Sequence, residues 1–156
     1  MIKIADLLSP GRIGCNVDAS SKKRGLELIS ALVSDEVETL DSGVIFSKLI
    51  GRERLGSTGL GKGVALPHAR VEGTDVALGA IMTLNRGIDF DAYDHQPVDL
   101  LFALIVPEHF TEEHLQILAR LAGMFSNAAL CTAIRAAEEP GQIERLLIDW
   151  EEGESH

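Results

Sequence analysis

The chain has 156 residues and a mass of 16.8 kDa, with 46% hydrophobic and 24% charged residues, which fits a single domain with a buried core. This balance excludes an intrinsically disordered or collagen-like chain. Because 24 acidic residues outnumber 14 basic ones, the formal net charge is −10, which disfavours binding to nucleic acid and to anionic membranes. The longest apolar run, Leu100 to Val106, is too short to cross a membrane, so no membrane insertion is expected.

The two cysteines indicate a reducing compartment. Cys15 and Cys131 lie far apart and match no zinc-ligand spacing, which is typical of reduced thiols in a cytosolic protein. Polar residues interrupt the sequence after Met1, and it does not resemble a signal peptide. We therefore expect a cytoplasmic location.

The first part of the chain predicts two helices. The first helix should follow Ser20 and Ser21, and the second should follow Asp41, a good N-cap residue; apolar residues come after each start at helical spacing. The second helix should end near Gly56, where the composition changes. The residues expected on the buried faces are Leu26, Ile29, Leu32 and Val33 in the first helix, and Val44, Ile45, Leu49 and Ile50 in the second.

The middle of the chain predicts strands. Gly63–Pro67 is short and apolar, and Val98–Val106 is nearly all apolar, as expected for a central strand that is covered on both faces. Val76–Leu84 alternates in polarity. The residues expected to share one face of that strand are Val76, Leu78, Ala80, Met82 and Leu84.

The last third predicts three helices, which begin after Thr111, near Asn127 and at Pro140. Helices before and after the strands indicate an α/β fold, a single-domain sandwich with a central mixed β-sheet and helices on both sides. The domain should span residues 1–150, and the acidic residues 151–156 should form an unpacked tail. The buried stripe expected on the first of these helices is Leu115, Leu118, Ala119, Ala122 and Phe125.

A glycine-rich loop follows the second predicted helix, and five of the 15 glycines lie in Gly51–Gly63. Such glycines allow positive φ and expose backbone N–H groups, which suits a phosphate-sized anion, although a flexible connector is the alternative. Gly56-x-x-x-x-Gly61-Lys62 matches most of a P-loop, but Gly63 stands where Ser or Thr must hold Mg²⁺. The helix-then-strand order is also the reverse of a P-loop. The loop therefore predicts an anion site without a nucleotide or a required metal.

His68 follows this loop directly after Pro67. A lone histidine at a strand end is usually structural, but a neutral imidazole beside an anion site is a good nucleophile toward phosphorus. The sequence thus indicates a phosphohistidine site. His109, Glu112, Glu113 and His114 match no metal-ligand spacing, and no metal or other cofactor is expected. Lys22, Lys23 and Arg24 are interpreted as a solvated helix face, with a partner contact as the alternative.

The loop and a second block resemble a known family, the fructose/mannitol-type enzyme IIA proteins of the bacterial phosphoenolpyruvate-dependent phosphotransferase system. The resemblance covers roughly Leu7 to Ile148, and its first motif is specific. The matching segments are Arg52-Glu53-Arg54-Leu55-Gly56-Ser57-Thr58-Gly59-Leu60-Gly61-Lys62-Gly63-Val64-Ala65-Leu66-Pro67-His68, then Gln96-Pro97-Val98-Asp99-Leu100-Leu101-Phe102-Ala103-Leu104-Ile105-Val106-Pro107 with His114-Leu115. Lys62 departs from the Asn that often stands at that place.

Within the family, the chain is most similar to the nitrogen-regulatory branch. Ser21-Lys22-Lys23-Arg24 resembles that branch, and we expect a free-standing IIA domain without an attached membrane component or carrier domain. The resemblance implies a phosphotransferase that accepts a phosphoryl group on His68 from an HPr-type histidine phosphocarrier protein. Its output would be regulatory, with potassium transport and sensor kinases among the targets. A sugar-specific IIA that passes phosphate to a IIB component, or an anion-binding module that is never phosphorylated, are the alternatives.

The resemblance also implies roles for residues around His68. His114 would orient the site and form a hydrogen bond to the phosphoryl group, and the first turn of its helix favours an anion. Arg52 would bind phosphoryl oxygens, although a cation at a helix C-terminus can also act as a cap. Ser57 and Thr58, with Gly59, would donate further hydrogen bonds to the phosphate.

Overall fold

A six-stranded mixed β-sheet forms the middle layer of the computed structural model, which describes residues 2–154. The predicted fold class, an α/β sandwich with a mixed sheet, is confirmed. In chain order the elements are α1 (Ile4–Leu7), a 3₁₀ turn (Pro10–Arg12), β1 (Ile13–Val17), α2 (Lys22–Glu36), α3 (Ser42–Glu53), β2 (Gly59–Gly61), β3 (Val64–Ala65), β4 (His68–Val71), β5 (Leu78–Ile88), β6 (Val98–Pro107), α4 (Glu112–Phe125), α5 (Ala128–Ala136) and α6 (Pro140–Glu154).

The strand order is β1-β5-β6-β3-β2, and β4 also pairs with β6. The central strands β5 and β6 are antiparallel, whereas β1 is parallel to β5, and both β3 and β4 are parallel to β6. Within the apolar segment predicted as one strand, Gly63–Pro67, only β3 (Val64–Ala65) is a strand, so this strand is shorter than expected. After it, the chain starts a new strand at His68, which pairs with Leu104 of β6.

Each face of β6 contributes to a different hydrophobic core. Phe102, Leu104 and Val106 pack with residues of α1, α4, α5 and α6. Leu101 and Ala103 face the other way and pack with residues of α2 and α3. Strand side chains alternate between faces, so a nearly all-apolar strand covered on both sides is the central strand that the sequence predicted.

Three helices begin where the sequence predicted, and each start has a side-chain cap. The side chains of Ser21, Asp41 and Asn127 each accept a hydrogen bond from a backbone N–H in the first turn of α2, α3 and α5, respectively. Thr111 stands at the N-cap of α4 without such a bond. The alternating face of β5 is also confirmed from Leu78 to Leu84, because its residues belong to the α2–α3 core.

Two predicted buried faces are partly wrong. On α3, Ile45 and Leu49 are buried but Val44 is 50% exposed. On α4 the buried residues are Ile117, Leu121, Met124 and Phe125, whereas Leu115 is 67% exposed. The helix α4 has apolar residues at helical spacing on more than one face, so periodicity alone did not identify the face that packs on the sheet. Val76, predicted in a strand, precedes β5 and is 60% exposed.

The prediction of an unpacked acidic tail from residue 151 is wrong for Glu151. Helix α6 continues to Glu154, and the carboxylate of Glu151 is buried. It accepts hydrogen bonds from the backbone N–H groups of Ile4 and Ala5 at 2.6 and 3.2 Å, and from Arg120. A buried carboxylate is tolerated here because the start of α1 and a guanidinium satisfy it. Residues 155 and 156 lie outside the described residues.

Across residues 2–154, no single helix is long and apolar enough to cross a membrane; only α4 and α5 taken together reach that length and composition, and they are bent by 82°. Cys15 and Cys131 are both free thiols. Burial raises the pKa of each thiol, and Cys131 lies within the hydrophobic core formed by α4, α5 and α6. These thiols are therefore protonated near neutral pH and are poor nucleophiles.

The sheet leaves no space for a side chain at position 79. A Cβ atom at Gly79 would lie 2.6 Å from Cζ of Phe102, whereas one at Gly123 on the exposed face of α4 would meet nothing within 4 Å. We expect Gly79→Ala to lower the free energy of unfolding by about 1–3 kcal/mol. Gly123→Ala is the matched control and should raise it by up to ~1 kcal/mol, because alanine favours helix. Urea unfolding of both variants measures the difference, and equal effects would contradict this packing.

Candidate functional site: a histidine pair in an open hollow

His68 is the first residue of β4, directly after the glycine-rich loop. Its Nδ1 lies 2.7 Å from the carbonyl oxygen of Leu66. A carbonyl only accepts hydrogen bonds, so in the neutral ring Nδ1 carries the proton and Nε2 keeps its lone pair. The ring is half-buried. The backbone therefore selects the tautomer of His68 that leaves Nε2 available as a nucleophile.

His114 is the third residue of α4, and its ring meets that of His68 edge to face, with the ring centroids 5.4 Å apart. Its Nε2 atom is buried and has no hydrogen-bond partner among the described residues. Burial, followed by the nearby His68 and Arg70, lowers the pKa of His114 to about 4. His114 is therefore neutral at physiological pH, and a buried nitrogen beside His68 is open for a hydrogen bond.

Burial also lowers the pKa of His68 below 6.5. The hydrogen bond to Leu66 opposes this shift, and the charges of Arg52 and Glu53 act in opposite directions. Both rings of the histidine pair are thus neutral at neutral pH. Neutrality is the state that a nucleophilic imidazole needs, because the protonated ring has no lone pair to donate.

The histidine pair lies at an open hollow of about 810 Å³. A smaller hollow of about 350 Å³ is also lined by His68 and Arg52, together with residues of the glycine-rich loop. Three cations and one carboxylate line the larger hollow, so its local charge is opposite to that of the chain. Its lining residues are Lys48, Gly51, Arg52, Leu55, His68, Ala69, Arg70, Glu108, Thr111, His114 and Leu115.

Arg52 stands in the last turn of α3 and lines both hollows. Its Nη1 donates to the carbonyl oxygen of Gly56 at 2.7 Å, which fastens the start of the loop to the helix end. This bond is the capping contact that the sequence left as an alternative. The remaining guanidinium N–H groups form no hydrogen bond within residues 2–154.

The glycine-rich loop does not present its hydroxyl groups to an anion. The Ser57 hydroxyl donates to the Phe90 carbonyl oxygen at 2.9 Å, and the Thr58 hydroxyl donates to Glu53. The N–H of Thr58 also bonds to Glu53, and that of Gly59 bonds to Oγ of Ser57 at 3.0 Å. The expected donation from Ser57, Thr58 and Gly59 to a phosphate is not supported by this geometry. These groups bind the loop to itself and to its neighbours.

The loop is fastened by a buried ion pair that the sequence did not predict. Nζ of Lys22 lies 2.9 Å from Oε2 of Glu53, and the two side chains are 18% and 2% exposed. Lys22 also donates to the carbonyl oxygen of Phe90 and lies over its ring, with Nζ 4.9 Å from the ring centroid. The interpretation of Lys22 as part of a solvated face is wrong, whereas the neighbouring Lys23 is exposed. The available signal was helical spacing, because Glu53 follows Ile45 and Leu49 at intervals of four residues on the buried face of α3.

Arg70 is another residue of the hollow that the sequence did not indicate. In β4 it stands two positions after His68, while Ala69 and Val71 between and beyond them are buried. Period-two alternation places His68 and Arg70 on the same face of the strand. That alternation could have identified Arg70 from the sequence if the strand had been assigned.

In residues 2–154 no group of three His, Cys, Asp or Glu side chains could hold a metal ion.

Comparison with known proteins gives the family to which this fold and its histidine pair belong. Residues 6–150 match the family model described as "Phosphoenolpyruvate-dependent sugar phosphotransferase system, EIIA 2". The chain belongs to this enzyme IIA family.

Relatives come from two branches of the family, and the nitrogen regulatory proteins are more similar to this chain than the sugar-specific one. The chain is 43% identical to the nitrogen regulatory protein of Pseudomonas aeruginosa, over 99% of this chain and 100% of that protein. It superposes on the crystal structure of nitrogen regulatory protein IIA-Ntr from Neisseria meningitidis with a TM-score of 0.86 and 38% identity, covering 92% and 98% of the two chains. It is also 30% identical to a fructose-specific EIIA component from Haloferax volcanii, over 83% of this chain and 84% of that protein.

The ion pair between Lys22 and Glu53 predicts a large loss of stability when one partner is removed. Lys22→Met should lower the free energy of unfolding by about 3 kcal/mol, because it leaves the Glu53 carboxylate buried without its cation. Lys23→Met is the matched control and should change it by less than about 0.5 kcal/mol, since Lys23 is exposed. The double variant Lys22→Met/Glu53→Gln should recover part of the loss. Denaturant unfolding tests this, and equal stability of the two single variants would contradict the pair.

The histidine pair predicts a pH dependence. An NMR titration of the ring protons should give His114 a midpoint near 4 and His68 a midpoint below 6.5. Between these values and 6.5 the unfolded chain binds protons that the folded chain does not, so the free energy of unfolding falls as the pH drops. His114→Gln should weaken that fall. A His114 midpoint at or above 6.5 would contradict the burial of its ring.

Proposed function

We propose that this protein is a cytoplasmic phosphocarrier of the phosphotransferase system whose His68 accepts a phosphoryl group from an HPr-type histidine phosphocarrier. The observation that carries the proposal is the 2.7 Å contact of His68 Nδ1 with the Leu66 carbonyl oxygen, which leaves the lone pair on Nε2. The position of His68 at an open hollow and the family membership support the same role.

The transfer is a displacement at phosphorus. The lone pair of His68 Nε2 forms the new P–N bond while the bond between phosphorus and the donor imidazole breaks, and the donor ring keeps that electron pair. No proton has to leave Nε2, since the neutral ring carries its proton on Nδ1. The Nδ1–H contact with Leu66 is retained in the phosphorylated ring, and it disperses the positive charge that develops there.

Two neighbours of His68 supply the phosphoryl contacts. The buried Nε2 of His114 has no partner among the described residues, and a phosphoryl oxygen beside His68 would give it one. Arg52 lines both hollows at His68 and has guanidinium N–H groups beyond the one that bonds to Gly56. Donors placed before the reaction stabilise the charge of the transferring group. Ser57, Thr58 and Gly59 shape the wall of the smaller hollow instead.

The donor docks on the rim of the hollow. Leu55 and Leu115 line it and are 84% and 67% exposed, so two large apolar side chains stand beside the histidine pair without burial. Their exposure explains why the predicted buried face of α4 was wrong. A small apolar surface with a charged rim is suited to a carrier that must bind briefly and dissociate.

The output is regulatory. This part of the proposal rests on the similarity to nitrogen regulatory proteins over nearly the whole chain. By family resemblance, the phosphorylation state of His68 would determine binding to targets in potassium transport and to sensor kinases. A sugar-specific role, with phosphate passed to a IIB component, is the second candidate because of the similarity to a fructose-specific component.

Intact mass after incubation with phosphoenolpyruvate, enzyme I and an HPr-type carrier tests the proposal. We expect one acid-labile phosphate on the wild-type protein and none on His68→Ala, because the nucleophile is missing. His95→Ala is the matched control, since His95 is an exposed histidine outside the hollow, and it should be labelled like the wild type.

The other outcomes separate the candidate functions. Labelling of His68→Ala would overturn the assignment of the nucleophile. No labelling of the wild type with any HPr-type carrier would leave an anion-binding module. Rapid loss of the label to a fructose-type IIB component would favour the sugar-specific role over the regulatory one.

A further inference from the structure

We propose that Arg70 is a second phosphoryl-binding arginine, which contacts the group in transit to His68 from the wall of the larger hollow. This inference rests on the proposed phosphocarrier function. It adds a catalytic residue that lies outside the two segments by which the sequence resembles its family.

The strand places Arg70 at the site. His68 and Arg70 are separated by one residue in β4, so their side chains leave the same face about 7 Å apart along the strand. Pairing of β4 with β6, from His68 with Leu104 to Arg70 with Val106, fixes this register. Both side chains line the larger hollow together with His114. Arg70 is therefore held beside the histidine pair by the sheet rather than by a mobile loop.

The guanidinium of Arg70 is available for a ligand. It forms no ion pair and no hydrogen bond within residues 2–154, although the Glu108 carboxylate lines the same hollow. Arg52, by contrast, already donates to the Gly56 carbonyl oxygen. The charge of Arg70 also reaches His114, whose pKa it helps to lower. The hollow thus contains an exposed cation within electrostatic range of the group that faces His68.

The chemistry of the transfer uses such a cation. The phosphoryl group in transit spreads negative charge over three oxygens, and a guanidinium can bind two of them at once. His114 and Arg52 supply donors from the ends of two helices, and Arg70 supplies a third donor from the strand. Arg70 forms no covalent bond and moves no proton. It lowers the barrier by stabilising charge on the oxygens while phosphorus passes between the two nitrogens.

The experiment compares two phosphoryl donors in single-turnover reactions. One donor is the phosphorylated HPr-type carrier, which must dock, and the other is phosphoramidate, which transfers its phosphoryl group to histidine with loss of ammonia and needs no docking. The variants are Arg70→Gln, Arg70→Lys and the control Arg86→Gln, which replaces an exposed arginine of β5 outside the hollow.

We expect Arg70→Gln to slow labelling of His68 by both donors about tenfold, less than the roughly hundredfold loss of a buried oxyanion donor, because Arg70 is exposed. Arg70→Lys should recover part of the rate, since it restores the charge but not the paired N–H groups. Arg86→Gln should match the wild type. With the carrier, the loss should appear in the saturated rate rather than in the half-saturating carrier concentration.

The contrary results are distinct. If Arg70→Gln slows the carrier reaction but leaves the phosphoramidate reaction unchanged, Arg70 is a docking residue and the inference is overturned. Unchanged rates with both donors overturn it as well. Failure of both donors to label wild-type His68 would instead refute the phosphocarrier function on which the inference rests. An NMR shift of the Arg70 Nε–H on phosphorylation, absent in the control arginine, would support direct contact.

Discussion

The course of the glycine-rich loop depends on one buried carboxylate, that of Glu53. This carboxylate accepts hydrogen bonds from the N–H and the hydroxyl group of Thr58, and it forms an ion pair with Lys22 at 2.9 Å. Lys22 begins α2 and Glu53 ends α3, so the same group also joins these two helices on one side of the sheet. The chain leaves this anchor along β2 and β3 and reaches Pro67 with the register that places His68 at the hollow. An unpaired carboxylate there would repel phosphate, and the positive charge of Lys22 offsets this repulsion.

The histidine pair combines two requirements that ordinarily conflict. Partial burial keeps both rings neutral, which a nucleophile needs, but burial is unfavourable for the doubly charged product. The structure meets both by leaving the pair at an open hollow with cations on its rim, where Nε2 of His114 has no hydrogen-bond partner within residues 2–154. A phosphoryl group on His68 would satisfy that nitrogen and bring its charge close to Arg52 and Arg70. These groups therefore suit one further anion beside His68.

Sequence patterns predicted the features that are encoded locally. Caps such as Asp41, the apolar run of β6 and the histidine after the glycine loop each need only a short segment to be recognised. Features that depend on which distant group is nearby were not predictable in this way. Lys22 is mostly buried because Glu53 and Phe90 approach it from other parts of the chain, and Glu151 is buried because the start of α1 packs against it. The apolar residues of α4 cover two faces, and Leu115 on the second face is exposed and lines the hollow.

The formal charge of −10 and the cationic hollow are compatible because charges act locally in salt solution. Beyond roughly 8–10 Å the acidic surface is largely screened, so a phosphoryl group near His68 experiences mainly Lys48, Arg52, Arg70 and Glu108. These residues leave an excess of two cations at the rim, and a phosphoryl group carries about two negative charges. Phosphorylation of His68 would therefore neutralise the rim while Leu55 and Leu115 stay in place. A partner that needs the cations would be released, whereas one that needs only the apolar surface would be retained, and this difference is a physical basis for regulation by phosphorylation.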